Sequence, residues 1–368
     1  MIELFSYWKA TASPEIIVKA DSLNTAQIAW WKDLLLKGMG QYFYENTIDF
    51  TKPNFLTIKS LAKPSYPLLD LAKDRRELKE RVLVPIGGGK DALVTWEILK
   101  GAKRKTTAFV LNPTNVHRQI YKVGEMKNPL IAERTIDPAL LSLNRDGYLN
   151  GHTPFSAYLA FLTVLTAVLK DYKYIAISQE RSSNEGNVEY LGSIINHQYS
   201  KSYDFEKRFR QYSKKYLSAK VEYFSFLRPL YELQIAQLFS AYPKYFPVFL
   251  SCNEAFKTDS GRRQGTGKWC NNCSKCLFTY LILSPFLTEK ELNKIFKENL
   301  LEKPSIAPIL QQLTGEGSFK PFECVGTAKE CKAASTKKGL EEILKSWNSK
   351  HFLPTELENI LKKASLSS

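Results

Sequence analysis

Residues 81–99 read RVLVPIGGGKDALVTWEIL, and the rest of the chain is organised around them. Residues 82–86 form an apolar run typical of buried strands, three glycines follow at once, and residues 92–99 carry apolar side chains at helical spacing. Glycine has no Cβ atom, so an anion can approach the backbone N–H groups of such a turn and of the helix N-terminus behind it. The pattern therefore predicts a strand, a phosphate-binding turn and a helix.

Two charged residues follow the glycines. Lys90 adds a mobile positive charge, and Asp91 is placed to hold a metal ion beside the phosphates. We expect phosphate to be bound by Gly87, Gly88, Gly89, Lys90 and Asp91. An ordinary strand-to-helix turn is the alternative.

Three known phosphate loops can be compared with this turn. A Walker A loop does not fit, because Val84 stands at its first glycine and Asp91 at its hydroxyl residue. The dinucleotide fingerprint fits the glycines, but the next predicted strand, residues 106–111, ends without the acidic residue that binds ribose. The turn better resembles the S-G-G-x-D-S loop of PP-loop ATP pyrophosphatases, with Gly87 and Ala92 in place of its serines.

Composition indicates an ordinary globular chain: 368 residues, 44% hydrophobic and 24% charged, long enough for two domains or one domain with an extension. The longest apolar run, residues 155–169, is too short for a membrane span and follows Thr153 and Pro154, which are typical of a helix start. The first nine residues lack the pattern of a secretion signal. We therefore expect a cytoplasmic protein without a membrane partner.

The net charge of +15 favours an anionic partner, whether nucleic acid, nucleotide or a diphosphate-bearing metabolite. The densest basic clusters, residues 100–105 and 201–220, lack regular aromatic interleaving. Solvated helix faces explain most of them better, so we do not expect a nucleic-acid partner.

The pattern along the chain predicts three domains. Residues 1–78 form a small α+β domain, with strands at 2–8 and 15–20 and a helix at 26–44. Residues 79–250 alternate between strands and helices, which predicts an α/β domain with a parallel sheet and ligands at the carboxyl ends of its strands. Residues 251–368 form a helical region with a cysteine cluster. The strands of the second domain are predicted at residues 82–86, 106–111, 130–135 and 174–178, and its main helices at 92–99, 116–121 and 154–170.

A polar loop, SQERSSNEGN at residues 178–187, directly follows the last of these strands. Glu180 or Glu185 could hold magnesium or act as a base, and Arg181 could clamp a carboxylate or phosphate through two hydrogen bonds. A solvent-exposed loop is the alternative. His197 follows on a predicted helix, where a structural role is the commoner one.

Three of the six cysteines form a C-x-x-C-x-x-C cluster, Cys270, Cys273 and Cys276, with Cys252 upstream as a fourth thiolate. Four sulfur ligands predict a structural zinc site. An iron–sulfur cluster and free thiols are the alternatives.

Cys324 lies apart from this cluster, in the segment FKPFECVG at residues 319–326. A thiolate beside Lys320 would be a competent proton donor or acceptor. A buried, inert cysteine is the alternative.

Taken together, these segments resemble one family, the UDP-N-acetylmuramoyl-L-alanyl-L-glutamate epimerases, or MurL family, within the PP-loop superfamily. The likeness covers residues 80–330 and rests on the glycine turn, ERSSNEGN (180–187), NHQYSKS (196–202), LRP (227–229), SCN (251–253), WCNNC (269–273) and KPFECVG (320–326). It implies a PP-loop (HUP-like) domain and an ATP- and Mg²⁺-dependent enzyme. Its implied substrate is UDP-MurNAc-L-Ala-L-Glu, a peptidoglycan precursor whose terminal L-glutamate is inverted after adenylation of a carboxylate.

Within this resemblance we assign roles to residues of the matching segments. Proton transfer is assigned to Cys324, Glu185 and Lys201; substrate binding to Arg181, Asn184, His197, Arg228 and Lys320; magnesium to Asp91 and Glu180; and zinc to Cys252, Cys270, Cys273 and Cys276. One alternative keeps the fold and changes the substrate, because the cysteine pattern is also similar to the 7-cyano-7-deazaguanine synthases. A different class is RNA modification, since the basic charge would suit a tRNA-modifying sulfurtransferase or a tRNA-binding module.

Overall fold

The computed structural model describes residues 1–61, 77–256 and 266–366. Its strands are β1 (Glu15–Val18), β2 (Thr57–Ser60), β3 (Lys79–Pro85), β4 (Thr106–Leu111), β5 (Leu130–Ala132), β6 (Tyr172–Ile177), β7 (Val188–Tyr190), β8 (Ser193–Ile195) and β9 (Glu222–Ser225). The largest sheet has five strands, all parallel, in the order β5-β4-β3-β6-β9. The predicted α/β class with a parallel sheet is thereby confirmed. The end of the predicted N-terminal domain, residues 62–76, lies outside the described residues.

Helices account for most of the remaining regular structure. In the described ranges they are α1 (Leu4–Trp8), α2 (Thr25–Gly38), α3 (Gly40–Glu45), α4 (Lys90–Gly101), α5 (Asn115–Gly124), α6 (Pro138–Arg145), α7 (Phe155–Leu169), α8 (Tyr203–Tyr216), α9 (Glu232–Ser240), α10 (Ser274–Leu283), α11 (Glu289–Phe296), α12 (Ala307–Thr314), α13 (Ala328–Thr336), α14 (Leu340–Leu344) and α15 (Thr355–Leu366). The last six confirm the predicted helical C-terminal region. Among these helices, none is both long enough and apolar enough to cross a bilayer.

The two faces of the sheet carry separate hydrophobic cores. Side chains alternate along a strand, so Val82 and Val84 of β3 face one core while Leu83 between them faces the other. Helices α4, α9 and α10 pack on the first face together with the C-terminal helices. Helices α7 and α8 cover the second face, and α2 packs on them through a stack of Trp31 on Phe161, with ring centroids 4.9 Å apart. The N-terminal and C-terminal segments therefore lie on opposite faces of one sheet.

The strand order reverses between β3 and β6. From β3 the chain proceeds through β4 to β5 on one side, whereas β6 leads to β9 on the other side. Loops that leave two such adjacent strands in opposite directions open a crevice at the carboxyl edge of the sheet. The glycine turn follows β3 and the 178–187 loop follows β6, so both lie at this crevice.

Two predictions for the N-terminal segment need correction. The predicted strand at residues 2–8 is helix α1, in which the buried residues Phe5 and Trp8 are three positions apart, a helical spacing. The predicted single helix at 26–44 is divided at Met39 into α2 and α3. The chain is closely packed at this break: a Cβ atom on Gly38 would lie 2.9 Å from the Pro154 side chain.

Four further differences concern the strands and the loop after β6. Strand β9, at the edge of the main sheet, was not predicted. The strand predicted at 130–135 ends at Ala132. Strands β7 and β8 form an antiparallel hairpin that was not predicted, with Leu191 and Gly192 at positive φ in its turn. His197 precedes a short 3₁₀ turn (Tyr199–Lys201) and does not lie on the predicted helix.

Candidate active site

The glycine turn packs closely against the segment that leads to the cysteine cluster. Gly88 has φ of +94°, and a Cβ atom there would lie 3.0 Å from the carbonyl oxygen of Leu250. The Gly88 carbonyl accepts a hydrogen bond of 2.9 Å from the Leu250 N–H. A side chain at Gly87, in contrast, would meet no atom of the described residues within 4 Å. The turn is therefore held firmly on one side and open on the other, at the N-terminus of α4.

Three carboxylates surround the first turn of α4. Asp91, Glu180 and Glu232 each offer an oxygen, and these oxygens lie within 4.8 Å of one another. Lys90 is 4% exposed, and its ammonium contacts both Asp91 and Glu232. Burial would lower the pKa of Lys90, but these two carboxylates raise it above its ordinary value.

Burial shifts the ionisation of two carboxylates of this cluster. Burial, reinforced by the neighbouring Asp91 carboxylate, raises the pKa of Glu180 above its ordinary value and that of Glu232 to about 7. Lys90 contacts Asp91 and Glu232 directly, and the charges of Lys201 and Lys275 also act on the cluster. Oxygen ligands of this kind suit a hard divalent cation such as Mg²⁺.

A second cluster joins Lys201, Cys324 and His197. The Lys201 ammonium donates a hydrogen bond of 3.0 Å to the Cys324 sulfur, and His197 Nε2 lies 3.8 Å from the same atom. Burial would raise the pKa of the Cys324 thiol, but the ammonium groups of Lys201 and Lys275 lower it below its ordinary value. Cys324 is partly accessible. This environment favours a thiolate that can accept a proton.

Amide side chains hold the Cys324 segment in place. Asn187 Nδ2 donates to the carbonyl of Pro321 at 2.7 Å, and Gln198 Nε2 donates to the carbonyl of Val325 at 3.0 Å. The Oδ1 atom of Asn187 also accepts the His197 N–H at 2.8 Å. These bonds bring Cys324 to the 178–201 region, although more than a hundred residues separate them along the chain.

Lys320 does not have the predicted position beside the Cys324 thiol. Its ammonium lies 3.2 Å from the Glu185 carboxylate, and Lys201 takes the place beside the sulfur. Glu185 also accepts a hydrogen bond of 3.2 Å from the N–H of Ala328, the first residue of α13. Glu185 and Lys320 therefore form an ion pair next to the thiol cluster.

Two of the predicted substrate-binding residues form hydrogen bonds with other groups of the protein. Arg228 is 0% exposed, pairs with Glu206 at 3.1 Å and donates to the carbonyl of Lys201 at 2.5 Å. Asn184 accepts from the Tyr203 N–H and donates to the Arg181 carbonyl, both at 2.8 Å. This geometry favours positioning roles for both over the predicted contacts with substrate. The Arg181 guanidinium lies over the Tyr231 ring, 4.2 Å from its centroid.

The four predicted zinc ligands meet in one place. The sulfur atoms of Cys252 and Cys273 are 3.9 Å apart, those of Cys270 and Cys276 3.7 Å, and those of Cys273 and Cys276 3.5 Å. In a tetrahedral site with Zn–S bonds of ~2.3 Å, the ligand sulfurs are about 3.8 Å apart. The spacing therefore fits one tetrahedral ion better than a multi-iron cluster, which holds its thiolates further apart.

Comparison with protein families gives two consecutive matches. Residues 1–226 match the model of the MurL N-terminal domain, and residues 248–366 match that of the MurL C-terminal domain. The chain belongs to the MurL family. Three curated relatives are named as epimerases, which favours this activity over the deazaguanine synthase and sulfurtransferase alternatives.

Three curated proteins are similar to this MurL-family chain, each named UDP-N-acetyl-alpha-D-muramoyl-L-alanyl-L-glutamate epimerase. The protein from Micromonospora sp. is 36% identical over 88% of this chain and 70% of its own length. That from Salinispora tropica is 35% identical over 88% of this chain and 68% of its own. The Xanthomonas oryzae pv. oryzae protein is 33% identical over 89% and 71%, respectively.

Sequence reasoning on this MurL-family chain missed several residues of the site. Glu232 had a usable signal, since it is an acidic residue in the first turn of helix α9, which follows the loop after β9. Lys275 lies inside the cysteine cluster sequence, yet its ammonium contacts the Cys324 carbonyl oxygen. Gln41 belongs to the distant helix α3, and nothing in its local sequence indicates that it contacts His197.

We expect the Lys201→Met variant of this MurL-family protein to have a higher Cys324 pKa. Lys201 stabilises the thiolate, so its loss should move the pH midpoint of iodoacetamide alkylation at Cys324 upward by about one unit or more. The measurement is the alkylation rate as a function of pH, with Cys324 identified by mass spectrometry. Lys320→Met is the matched control, because its ammonium pairs with Glu185, and it should shift the midpoint less. Equal midpoints in wild type and Lys201→Met would contradict the assignment.

Proposed function

We propose that this protein inverts the Cα centre of the terminal L-glutamate of UDP-MurNAc-L-Ala-L-Glu, with ATP and Mg²⁺. The main support is that the glycine turn with its carboxylates and the Lys201–Cys324 pair meet at one crevice. Lys201 connects the two parts, because both the Cys324 thiol and the Glu180 carboxylate raise its pKa against the opposing effect of burial. The names of the relatives supply the substrate.

The need for ATP follows from the acidity of the carbon. Loss of the Cα proton beside a carboxylate would put two negative charges on adjacent groups. In an acyl adenylate the same charge delocalises into a neutral ester, so proton loss becomes much easier. A nucleotide site and a proton-transfer site in one crevice are what this chemistry requires.

The activation step uses the glycine turn. We assign the phosphates to the residue 87–91 turn and Mg²⁺ to Asp91, Glu180 and Glu232. The α-carboxylate oxygen of the substrate attacks the α-phosphorus of ATP, and pyrophosphate leaves. The buried positive charge of Lys90 and the N-terminus of α4 stabilise the charge that develops on the phosphates.

The proton-transfer step uses the thiol cluster. The Cys324 thiolate takes the Cα proton of the adenylate, while the Lys201 ammonium keeps the sulfur ionised beforehand. We keep the Glu185–Lys320 pair for the return of a proton on the opposite face, with the Lys320 ammonium as the group that carries this proton. Water then cleaves the D-glutamyl adenylate to the free carboxylate and AMP.

The decisive experiment uses the purified protein with ATP, Mg²⁺ and UDP-MurNAc-L-Ala-L-Glu. We expect D-glutamate after hydrolysis of the product, one AMP and one pyrophosphate per turnover, and one deuterium at Cα when the reaction is run in D₂O. Exchange of labelled pyrophosphate into ATP should require the substrate. Retention of L-glutamate under these conditions, with ATP intact, would refute the proposal.

We propose a structural Zn²⁺ at the four-cysteine cluster, supported by the spacing of its sulfur atoms. Cys276→Ser should lose the metal and lower the melting temperature by roughly 5 °C or more, because a closed site contributes directly to folding. Pyrophosphate exchange should also fall, since Cys252 follows the segment that packs on Gly88 and Gly89. Elemental analysis measures the metal content, and thermal unfolding measures the melting temperature.

Cys331→Ala is the control for the zinc site, because Cys331 is buried but lies outside the cluster. It should keep one zinc per chain. A metal-free wild-type protein, or iron in place of zinc, would overturn the assignment.

A further inference from the structure

A chain of hydrogen bonds leads from the thiol cluster to the N-terminal segment. His197 Nδ1 lies 2.5 Å from Gln41 Oε1, and Gln41 Nε2 donates to the Glu45 carboxylate at 2.7 Å. Gln41 and Glu45 are four positions apart on α3, where side chains at this spacing meet. Gln41 is 9% exposed, so its amide has little access to water.

Glu45 determines which way the Gln41 amide points. The carboxylate of Glu45 accepts a hydrogen bond from the Gln41 amide NH₂, so the amide oxygen of Gln41 faces His197. That oxygen can only accept, so His197 carries its proton on Nδ1. In a neutral imidazole with this tautomer, Nε2 carries a lone pair. This lone pair faces the Cys324 sulfur, 3.8 Å away.

The surroundings keep His197 neutral. Burial and the ammonium groups of Lys201, Lys320 and Lys275 lower the pKa of His197 to about 3. The His152 ring lies beside it, with centroids 4.3 Å apart, and its own pKa is lowered by burial and by His197. His197 is therefore suited to accept a hydrogen bond and unsuited to take a full proton.

We propose that Gln41 is a positioning residue of the active site, which holds His197 as its Nδ1–H tautomer so that Nε2 accepts a hydrogen bond from the Cys324 thiol. The role in catalysis rests on the proposed function. When the thiolate removes the Cα proton, the new S–H bond points to Nε2, and the proton stays on sulfur. The opposite tautomer would place an N–H beside the thiolate, stabilise it and weaken it as a base.

The tautomer can be measured directly by ¹⁵N NMR of histidine-labelled protein. The chain has only four histidines, and each signal can be assigned with a single His→Gln variant. His117 is an internal reference, because its Nδ1 accepts the Thr114 N–H at 3.1 Å and so carries no proton. We expect a protonated Nδ1 and an unprotonated Nε2 for His197 from pH 6 to 8. A protonated Nε2 in the wild-type protein would overturn the proposal.

The variant that tests this role is Gln41→Leu, which removes the hydrogen-bond acceptor of the His197 Nδ1–H and keeps the size of the side chain. We expect loss of the Nδ1–H signal of His197, a lower pH midpoint for Cys324 alkylation, and about a tenfold fall in the epimerisation kcat with unchanged pyrophosphate exchange. Tyr42→Phe is the control, since it removes one hydrogen bond from the same helix, to the carbonyl of Lys9. An unchanged tautomer in Gln41→Leu would refute the proposal. If the wild-type protein lacks epimerase activity, the proposed function is wrong. The NMR and alkylation results would still show whether Gln41 sets the tautomer of His197.

Discussion

Cys324→Ser is expected to slow epimerisation by about 10³-fold and to leave pyrophosphate exchange near the wild-type rate. The hydroxyl of serine has a far higher pKa than a thiol, so the Lys201 ammonium that ionises Cys324 cannot ionise Ser at this position. Adenylation depends on the carboxylate cluster and the glycine turn, which the substitution leaves intact. The two rates should therefore separate in a single variant.

Three measurements on the same preparation test this separation: exchange of labelled pyrophosphate, deuterium uptake at Cα in D₂O, and chirality of the glutamate. Cys331→Ala serves as the control, because Cys331 is a buried thiol whose pKa is raised by burial and by Glu330, and Lys201 is not among the charges that act on it. It should retain all three activities. Full epimerisation by Cys324→Ser would remove Cys324 from the mechanism.

Glu232→Gln is expected to reduce pyrophosphate exchange by about 100-fold and to raise the Mg²⁺ concentration needed for half-maximal rate. The amide keeps the shape of the side chain but removes one of three negative charges facing Lys90 and the metal position. Epimerisation of the normal substrate should fall equally, since activation precedes proton loss. A Mg²⁺ titration of the exchange rate measures the effect.

Glu330→Gln is the matched control for this substitution. Glu330 is also buried, and it accepts hydrogen bonds from Leu233 of α9 and from Thr327, but it is not one of the three grouped carboxylates. It should lower thermal stability without changing the Mg²⁺ requirement. A Glu232→Gln protein with wild-type Mg²⁺ dependence would exclude Glu232 as a ligand.

Local patterns were sufficient for four of the five strands of the sheet, but not for β9. The predicted strands at 82–86 and 106–111 correspond to β3 and β4, and the predicted core helix at 154–170 corresponds to α7. Each is a long apolar segment with clear boundary residues, so its conformation depends mainly on its own sequence. The prediction failed at residues 2–8, where seven residues were too few to distinguish a strand from helix α1.

The separate parts of the candidate site could be predicted, because each part lies within one short motif. The glycine turn, the 178–187 loop and the four cysteines could all be recognised from residue types and spacing. Pairings between motifs were harder: Lys320 is the nearest lysine to Cys324 in sequence, but Lys201 is the one that contacts its sulfur. Sequence proximity is a poor guide where a loop crosses another element.

The amino-acid sequence alone thus established an α/β fold, the glycine turn after β3 and the residue types available for chemistry, since these depend on neighbours within one turn or strand. Tertiary packing decided which side chains contact each other: Glu232 contacts Lys90, Lys201 contacts Cys324, and Gln41 contacts His197. Those contacts join residues that are 123 to 156 positions apart in the chain. They exist because the strand order reverses at β3 and β6 and because the N-terminal helices cover one face of the sheet, and both features are properties of long-range packing.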